Sequence, residues 1–199
     1  EENTSVGGNA FVAEIMSGIN RRNIGAEFGA EYQVTPTIKV MGAASYGQYI
    51  YENNPNVKLS IDNQARVFDY GEAKLKNYRV ASAPQTAFSL GIEYRDPKFW
   101  WVGVNANYLD NNYSDISAIL RTDNFVKNSD DIDGFPIADA TEDNVKRILK
   151  QEKFDPIRLI NLTGGKSWRV SNTNRNTVGF FASVNNVFDV TYRTGGFEQ

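Results

Sequence analysis

Residues 24–34 read IGAEFGAEYQV, and every second one (Ile24, Ala26, Phe28, Ala30, Tyr32, Val34) is apolar. The alternate set, Gly25, Glu27, Gly29, Glu31 and Gln33, is small, charged or polar. Successive side chains of a strand point to opposite faces, so this segment has one oily face and one wet face. The pattern returns at Phe88, Leu90, Ile92 and Tyr94 opposite Ser89, Gly91, Glu93 and Arg95. It returns again at Trp100, Val102, Val104, Ala106 and Tyr108 opposite Asn105 and Asn107. Repetition of one alternating strand predicts an all-β chain whose sheet closes into a barrel.

Working outward, alternation and β-rich composition predict seven strands at residues 11–19, 24–34, 38–51, 87–95, 99–109, 157–170 and 177–188. Short connections, NRRN (20–23), TPT (35–37), DPK (96–98) and SNTNRN (171–176), are rich in turn residues. Residues 52–86 and 110–156 form long ones. In an up-and-down sheet, TPT, DPK and SNTNRN fall at one end and both long loops at the other, with NRRN as a short loop on the long-loop side. That asymmetry is the habit of transmembrane β-barrels, which have tight periplasmic turns and long extracellular loops.

Composition narrows the chemistry. The 199 residues carry a net charge of −3 and a pI near 5.1, so no basic stripe invites nucleic acid. With no Cys and no His, the usual ligands of zinc, copper and haem are missing, as are Ser-His-Asp and Cys-His triads, and no cofactor is expected. No run of about eighteen apolar residues offers a membrane-crossing helix, but a tilted barrel strand crosses with about 9–11 residues and hides its polar half. A mean hydropathy of −0.47 is compatible with that. The opening EENTSVGGNAF has neither a basic nor an apolar leader region, as expected of a mature chain or of a piece of a longer one.

The aromatic residues fit a belt at a lipid–water boundary. Tyr32 precedes the first tight turn, Tyr94, Trp100 and Trp101 bracket the second, and Trp168 leads into the third, while Tyr49, Tyr51 and Tyr108 mark the other rim. A cation on the lipid face costs roughly 2–4 kcal/mol at the midplane and about 0–1 near an interface. The outward sets contain no charge except Lys166, close enough to the turn end to snorkel. The competing fold is a soluble β-sandwich that uses Trp100, Trp101 and Trp168 as carbohydrate-stacking platforms on one exposed face.

The inward residues Glu27, Glu31, Glu93, Arg95, Asn105, Asn107 and Asn161 form a polar lumen of mixed charge, which has no need of catalysis to explain it. A carboxylate pair of glycosidase type between Glu27 and Glu93 requires a suitable separation. In the second long loop, Asp139 as cap, Glu142 three residues later and a stripe of Val145, Ile148 and Leu149 predict a short amphipathic helix over 140–152. Glu142–Lys146 and Asp143–Arg147 support it as (i, i+4) pairs. SDDIDG (129–134) is loosely similar to a calcium loop through Asp131 and Asp133, but the bidentate Glu of that loop is replaced by Ala140, so the segment reads as solvated and acidic. GGK at 164–166 lies in a strand and is no phosphate loop.

Residues 25–56 (GAEFGAEYQVTPTIKVMGAASYGQYIYENNPN) resemble the late-barrel segment of TonB-dependent outer-membrane receptors: a Gly-x-Glu strand, a Pro-containing turn and a small-residue strand in succession. Residues 77–125 and 180–199 (FFASVNNVFDVTYRTGGFEQ) are similar to the closing strands of the subset with a carboxypeptidase-regulatory-like extension. The resemblance runs from about residue 15 onward and implies a multi-pass barrel of about 22 strands in the Gram-negative outer membrane, plugged by an N-terminal domain. It implies energised uptake of a scarce ligand without covalent chemistry, with outer-membrane lipid, a TonB-type energy transducer and a surface lipoprotein or larger envelope complex as partners. Residues 1–199 then correspond to an incomplete C-terminal part of the barrel, lacking plug, TonB box and final strand. In this family outer loops and plug grip the cargo, which points by position to Asn53, Asn54, Arg66 and Asp69 in the first long loop and Arg121, Asp130, Asp131 and Asp133 in the second. A porin-like channel and a barrel that anchors an envelope assembly are the other readings.

Overall fold

The computed structural model describes residues 12–61, 66–81, 83–126, 141–170 and 176–197. Nine strands hold most of them: β1 (Val12–Ser17), β2 (Arg21–Gln33), β3 (Ile38–Tyr51), β4 (Asn56–Ile61), β5 (Arg66–Glu72), β6 (Thr86–Arg95), β7 (Trp100–Asp110), β8 (Ile157–Arg169) and β9 (Thr177–Val184). One helix, α1 (Glu142–Ile148), and short 3-10 turns at Ile119–Arg121 and Asp123–Val126 complete the described elements. None of the described helices is long and apolar enough to cross a membrane, which says nothing of strands.

β2, β3, β6, β7, β8 and β9 form one antiparallel sheet in that order. The connections β2–β3, β6–β7 and β8–β9 all lie at one end, because Gln33 pairs with Lys39, Arg95 with Trp101 and Arg169 with Thr177. The long connections meet at the other end, as the turn chemistry predicts. The sheet is open, however: among the described residues β2 and β9 have no second neighbour. The all-β class holds, and the antiparallel sheets are not closed among the described residues.

The first long loop is not a loop throughout. β1 leaves the expected meander and pairs with β4 (Val12 with Ile61, Ser17 with Asn56), and β4 pairs with β5 to make a separate three-stranded sheet. The expected NRRN connection is shorter as well, since Arg21 and Arg22 already pair with Tyr51 and Ile50. Period-2 alternation reveals a strand but not its partner, which here lies some 40 residues away.

Burial is concentrated at the long-loop end. Tyr51, Val57, Ala73, Leu75 and Ala118 form the core cluster, with Met16, Ile19, Tyr78 and Ile119 packed on it. This cap contains β1, β4, β5 and the 3-10 turns, whereas among the described residues the six-stranded sheet carries a buried hydrophobic core on neither face of its middle. The chain accordingly exposes 14,532 Å², against about 9,400 Å² for a compact protein of its 22.3 kDa.

α1 is shorter than the predicted 140–152. Its N-cap is Thr141, whose hydroxyl accepts from the Asn144 backbone N–H at 3.3 Å; Asp139 lies outside the described residues. Lys146 and Glu142 form the anticipated (i, i+4) ion pair. The apolar stripe is narrower than predicted, with Leu149 buried but Ile148 60% exposed.

Candidate functional site

Register extends each face across six strands. One face carries Ala26, Phe28 and Ala30 from β2, Val40, Gly42 and Ala44 from β3, and Leu90 and Ile92 from β6. It continues through Val102, Val104 and Ala106 on β7, Ile160, Leu162 and Gly164 on β8, and Phe180 and Ala182 on β9. No charged side chain interrupts this middle band. Its large members stand open, Phe28 at 70%, Leu90 at 57% and Phe180 at 64%. Contiguous apolar surface of this extent marks an interface with something other than water.

Charge on this face occurs only at its two ends. Lys166, at the tight-turn end, donates from its ammonium to the Lys98 carbonyl at 3.1 Å. Arg22, Asp110 and Arg158 lie at the long-loop end. Arg158, two residues before Ile160, escaped the sequence reading, although strict period-2 counting along β8 places it on the apolar face. Tyr32, Tyr94, Trp100 and Trp168 do share this face at the turn end, with the Tyr94 and Trp100 rings 5.1 Å apart. At the other rim the expectation fails for Tyr49 and Tyr51, which point to the opposite face; Tyr51 is buried in the cap. Tyr108 does sit there, 6.1 Å from Phe88. Trp101 also takes the opposite face, beneath the Arg95 guanidinium at 5.8 Å.

The polar face gathers most of the inward candidates into two groups. Near the turns, Glu31 pairs with Lys39 at 3.2 Å and Arg95 forms an ion pair with Glu93. Midway, Asn105 donates to the Ser89 hydroxyl at 2.9 Å and Asn107 donates to the Asn105 side-chain oxygen. Asn161 accepts from the Asn186 backbone N–H at 2.9 Å, tying the chain beyond β9 to β8. Glu27 stands apart from both groups. Its row is Ser45 and Ala87, whereas Glu93 lies six residues further along β6. The separation is thus roughly 20 Å, well beyond the ~5–9.5 Å that glycoside hydrolysis needs. That pair does not form a catalytic site.

Of the outer-loop candidates, four hold the cap together. Asn53 clamps the β1–β2 link, donating to the Gly18 carbonyl at 2.6 Å and accepting from the Asn20 N–H at 2.8 Å. Asn54 accepts from the Lys76 N–H at 3.0 Å. Asp69 pairs with Lys58 at 3.1 Å, and its carboxyl is held below the usual range chiefly by the Gly71 backbone N–H, then by Lys58 and Asn56. Arg121, a ligand candidate by its position in the loop, is buried, at 2% exposed. Arg66 pairs with Ile61 in the β4–β5 ladder. Asp130, Asp131 and Asp133, with the calcium-like loop, lie outside the described residues. Among those described, no cluster of three or more acidic or metal-ligating side chains forms.

The tight turn between β6 and β7 gives a pH-dependent expectation. Asp96 accepts from the Lys98 N–H at 2.8 Å and from the Tyr94 hydroxyl at 2.9 Å, and the first of these chiefly holds its carboxyl below the ordinary value. A lowered folded-state value means that the turn's stabilisation is complete above about pH 4 and is lost as pH falls through the folded-state value. Amide exchange at Lys98, followed by pH titration, should therefore accelerate in acid beyond the intrinsic pH trend, and Asp96→Asn should remove the acceleration. In the cap, burial first and the Asp115 charge second push the Glu14 carboxyl up.

No protein-family model, curated protein or solved structure gives a match to this chain.

Proposed function

We propose that this chain forms part of the wall of a transmembrane β-barrel in the Gram-negative outer membrane. In this reading it belongs to a TonB-dependent receptor that carries a scarce ligand inward through a plugged lumen. The observation that carries the reading is the apolar face, continuous over six strands and charged only at its ends. In water such a face has no cover. Against acyl chains it needs none, and the cations at the ends reach the interfaces.

Strand length agrees. Five of the six strands in the sheet have 10 to 14 residues, enough to span with the usual tilt, which takes about 9–11. The bare edges of β2 and β9 are untenable in lipid, so the barrel reading supplies further strands on both sides. The polar face then lines the lumen, with the Ser89–Asn105–Asn107 ladder midway and the Glu31, Lys39, Glu93 and Arg95 charges near the periplasmic turns. The cap forms part of the extracellular mouth. The soluble carbohydrate-binding sandwich loses its premise, because Trp101 is on the face opposite Trp100 and Trp168.

Orientation and location are tested together in the full-length receptor. Lys74→Cys, in the cap, should react with a membrane-impermeant maleimide on intact cells, whereas Lys98→Cys, in a tight turn, should react only after the outer membrane is opened. Recovery in the soluble fraction, or the reverse labelling order, would remove the reading. Ligand uptake that collapses when the energy transducer is deleted distinguishes the receptor from a porin-like channel or a passive envelope anchor.

A further inference from the structure

At the long-loop end of the apolar face, small residues flanked by large ones leave an open groove of about 750 Å³, within the ~300–1,000 Å³ range of small-molecule sites. Gly42 and Ala44 on β3 and Ala106 on β7 are its low points, with Leu90 and Phe88 of β6 between them and Ile160 and Phe188 at the side. Arg158 lines the same groove, its guanidinium 5.7 Å from the Tyr108 ring. Among the described residues no carboxylate pairs with Arg158. Asp110, two residues beyond Tyr108 on the same face, is taken by Lys153 at 2.9 Å and by the Tyr108 hydroxyl at 3.1 Å.

An apolar trough with an uncompensated cation at its water-side end is complementary to an amphiphile with an anionic head. A guanidinium offers a fork of donors suited to phosphate oxygens, and its position against an aromatic ring limits the side-chain freedom lost on binding. We propose that the groove seats a phosphorylated, acylated lipid of the surrounding leaflet, with its phosphate on Arg158 and one acyl chain against the groove's apolar lining. The proposal rests on the barrel reading above, since only there does this face meet lipid.

The full receptor in neutral detergent would be titrated with a phosphate-monoester lipid and with the same lipid lacking its phosphate, and binding read by native mass spectrometry. The natural protein and Arg158→Lys should prefer the phosphorylated lipid by about tenfold, and Arg158→Gln should bind both lipids equally weakly. Ala44→Leu should weaken both alike by obstructing the chain. Undiminished preference in Arg158→Gln, full competition by inorganic phosphate alone, or a protein dimer displacing the lipid would overturn the proposal. Membrane fractionation of the same samples separates the two claims. A receptor found in the outer membrane that does not discriminate the lipids loses this site alone, whereas one found in the soluble fraction loses the site and the barrel together.

Discussion

Arginine in place of Val104 should destabilise the proposed barrel by about 2–4 kcal/mol, the cost of a cation at the bilayer midplane. Val104 sits mid-strand on β7, paired with Ile92 on one side and Leu162 on the other, so no polar neighbour shelters the charge. Trp168→Arg, near the tight-turn end of the same face, should cost only about 0–1 kcal/mol because the side chain reaches the interface. Asn105→Arg, one residue along but on the polar face, should also be mild. Urea unfolding in lipid vesicles gives all three values. If Asn105→Arg proves the costly change and Val104→Arg the mild one, the faces are assigned the wrong way round and the membrane reading fails with them.

The second large effect is expected at Arg121. Its guanidinium lies 4.5 Å from the Tyr78 ring centroid and donates to the Ser117 carbonyl at 2.9 Å and the Leu149 carbonyl at 2.8 Å. The Tyr78 hydroxyl donates to that same Leu149 carbonyl at 3.0 Å, and the Arg121 carbonyl accepts from the Lys74 N–H at 2.8 Å. One buried side chain thus joins a 3-10 turn, the end of α1 and the segment after β5. Hydrogen bonds from charged donors contribute about 1.5–3 kcal/mol each, so Arg121→Ala should cost the cap about 3–5 kcal/mol. Hydrogen exchange should rise over residues 73–80 and 141–149 while β7 and β8 stay protected. Unchanged exchange in α1 would instead return Arg121 to the role of a dispensable, ligand-facing cation.

The faces of the sheet were legible because period-2 alternation is local: IGAEFGAEYQV carries its own evidence for which side is oily. The end-to-end asymmetry of turns and loops followed from turn residues such as Pro36 and Pro97. What escaped depends on distant partners. Val57, Leu59 and Ile61 alternate well enough for a strand, but β4 is stabilised by β1 and by a buried core that no window of sequence contains. Arg121 illustrates the same limit, since an arginine in a polar loop is ordinarily solvent-facing and only tertiary packing places it under Tyr78. Arg158 differs, for the pattern that identified Ile160 and Leu162 also included it, and strict counting would have found it. The helix cap was missed by two residues because Asp139 and Thr141 are both good N-cap residues, and the choice between them depends on backbone conformation.

Among the described residues the well-buried cluster lies in the cap, and this bears on how the proposed wall would be built. A polypeptide emerging into water could consolidate the cap at once, while the broad face containing Phe28, Leu90, Val104 and Phe180 would have nothing of its own to fold against. Until insertion that face would be a hazard for self-association. In the barrel proposed above, its delivery would call for an escort that masks the hydrocarbon-seeking flank in transit and releases it strand by strand where lipid can take over.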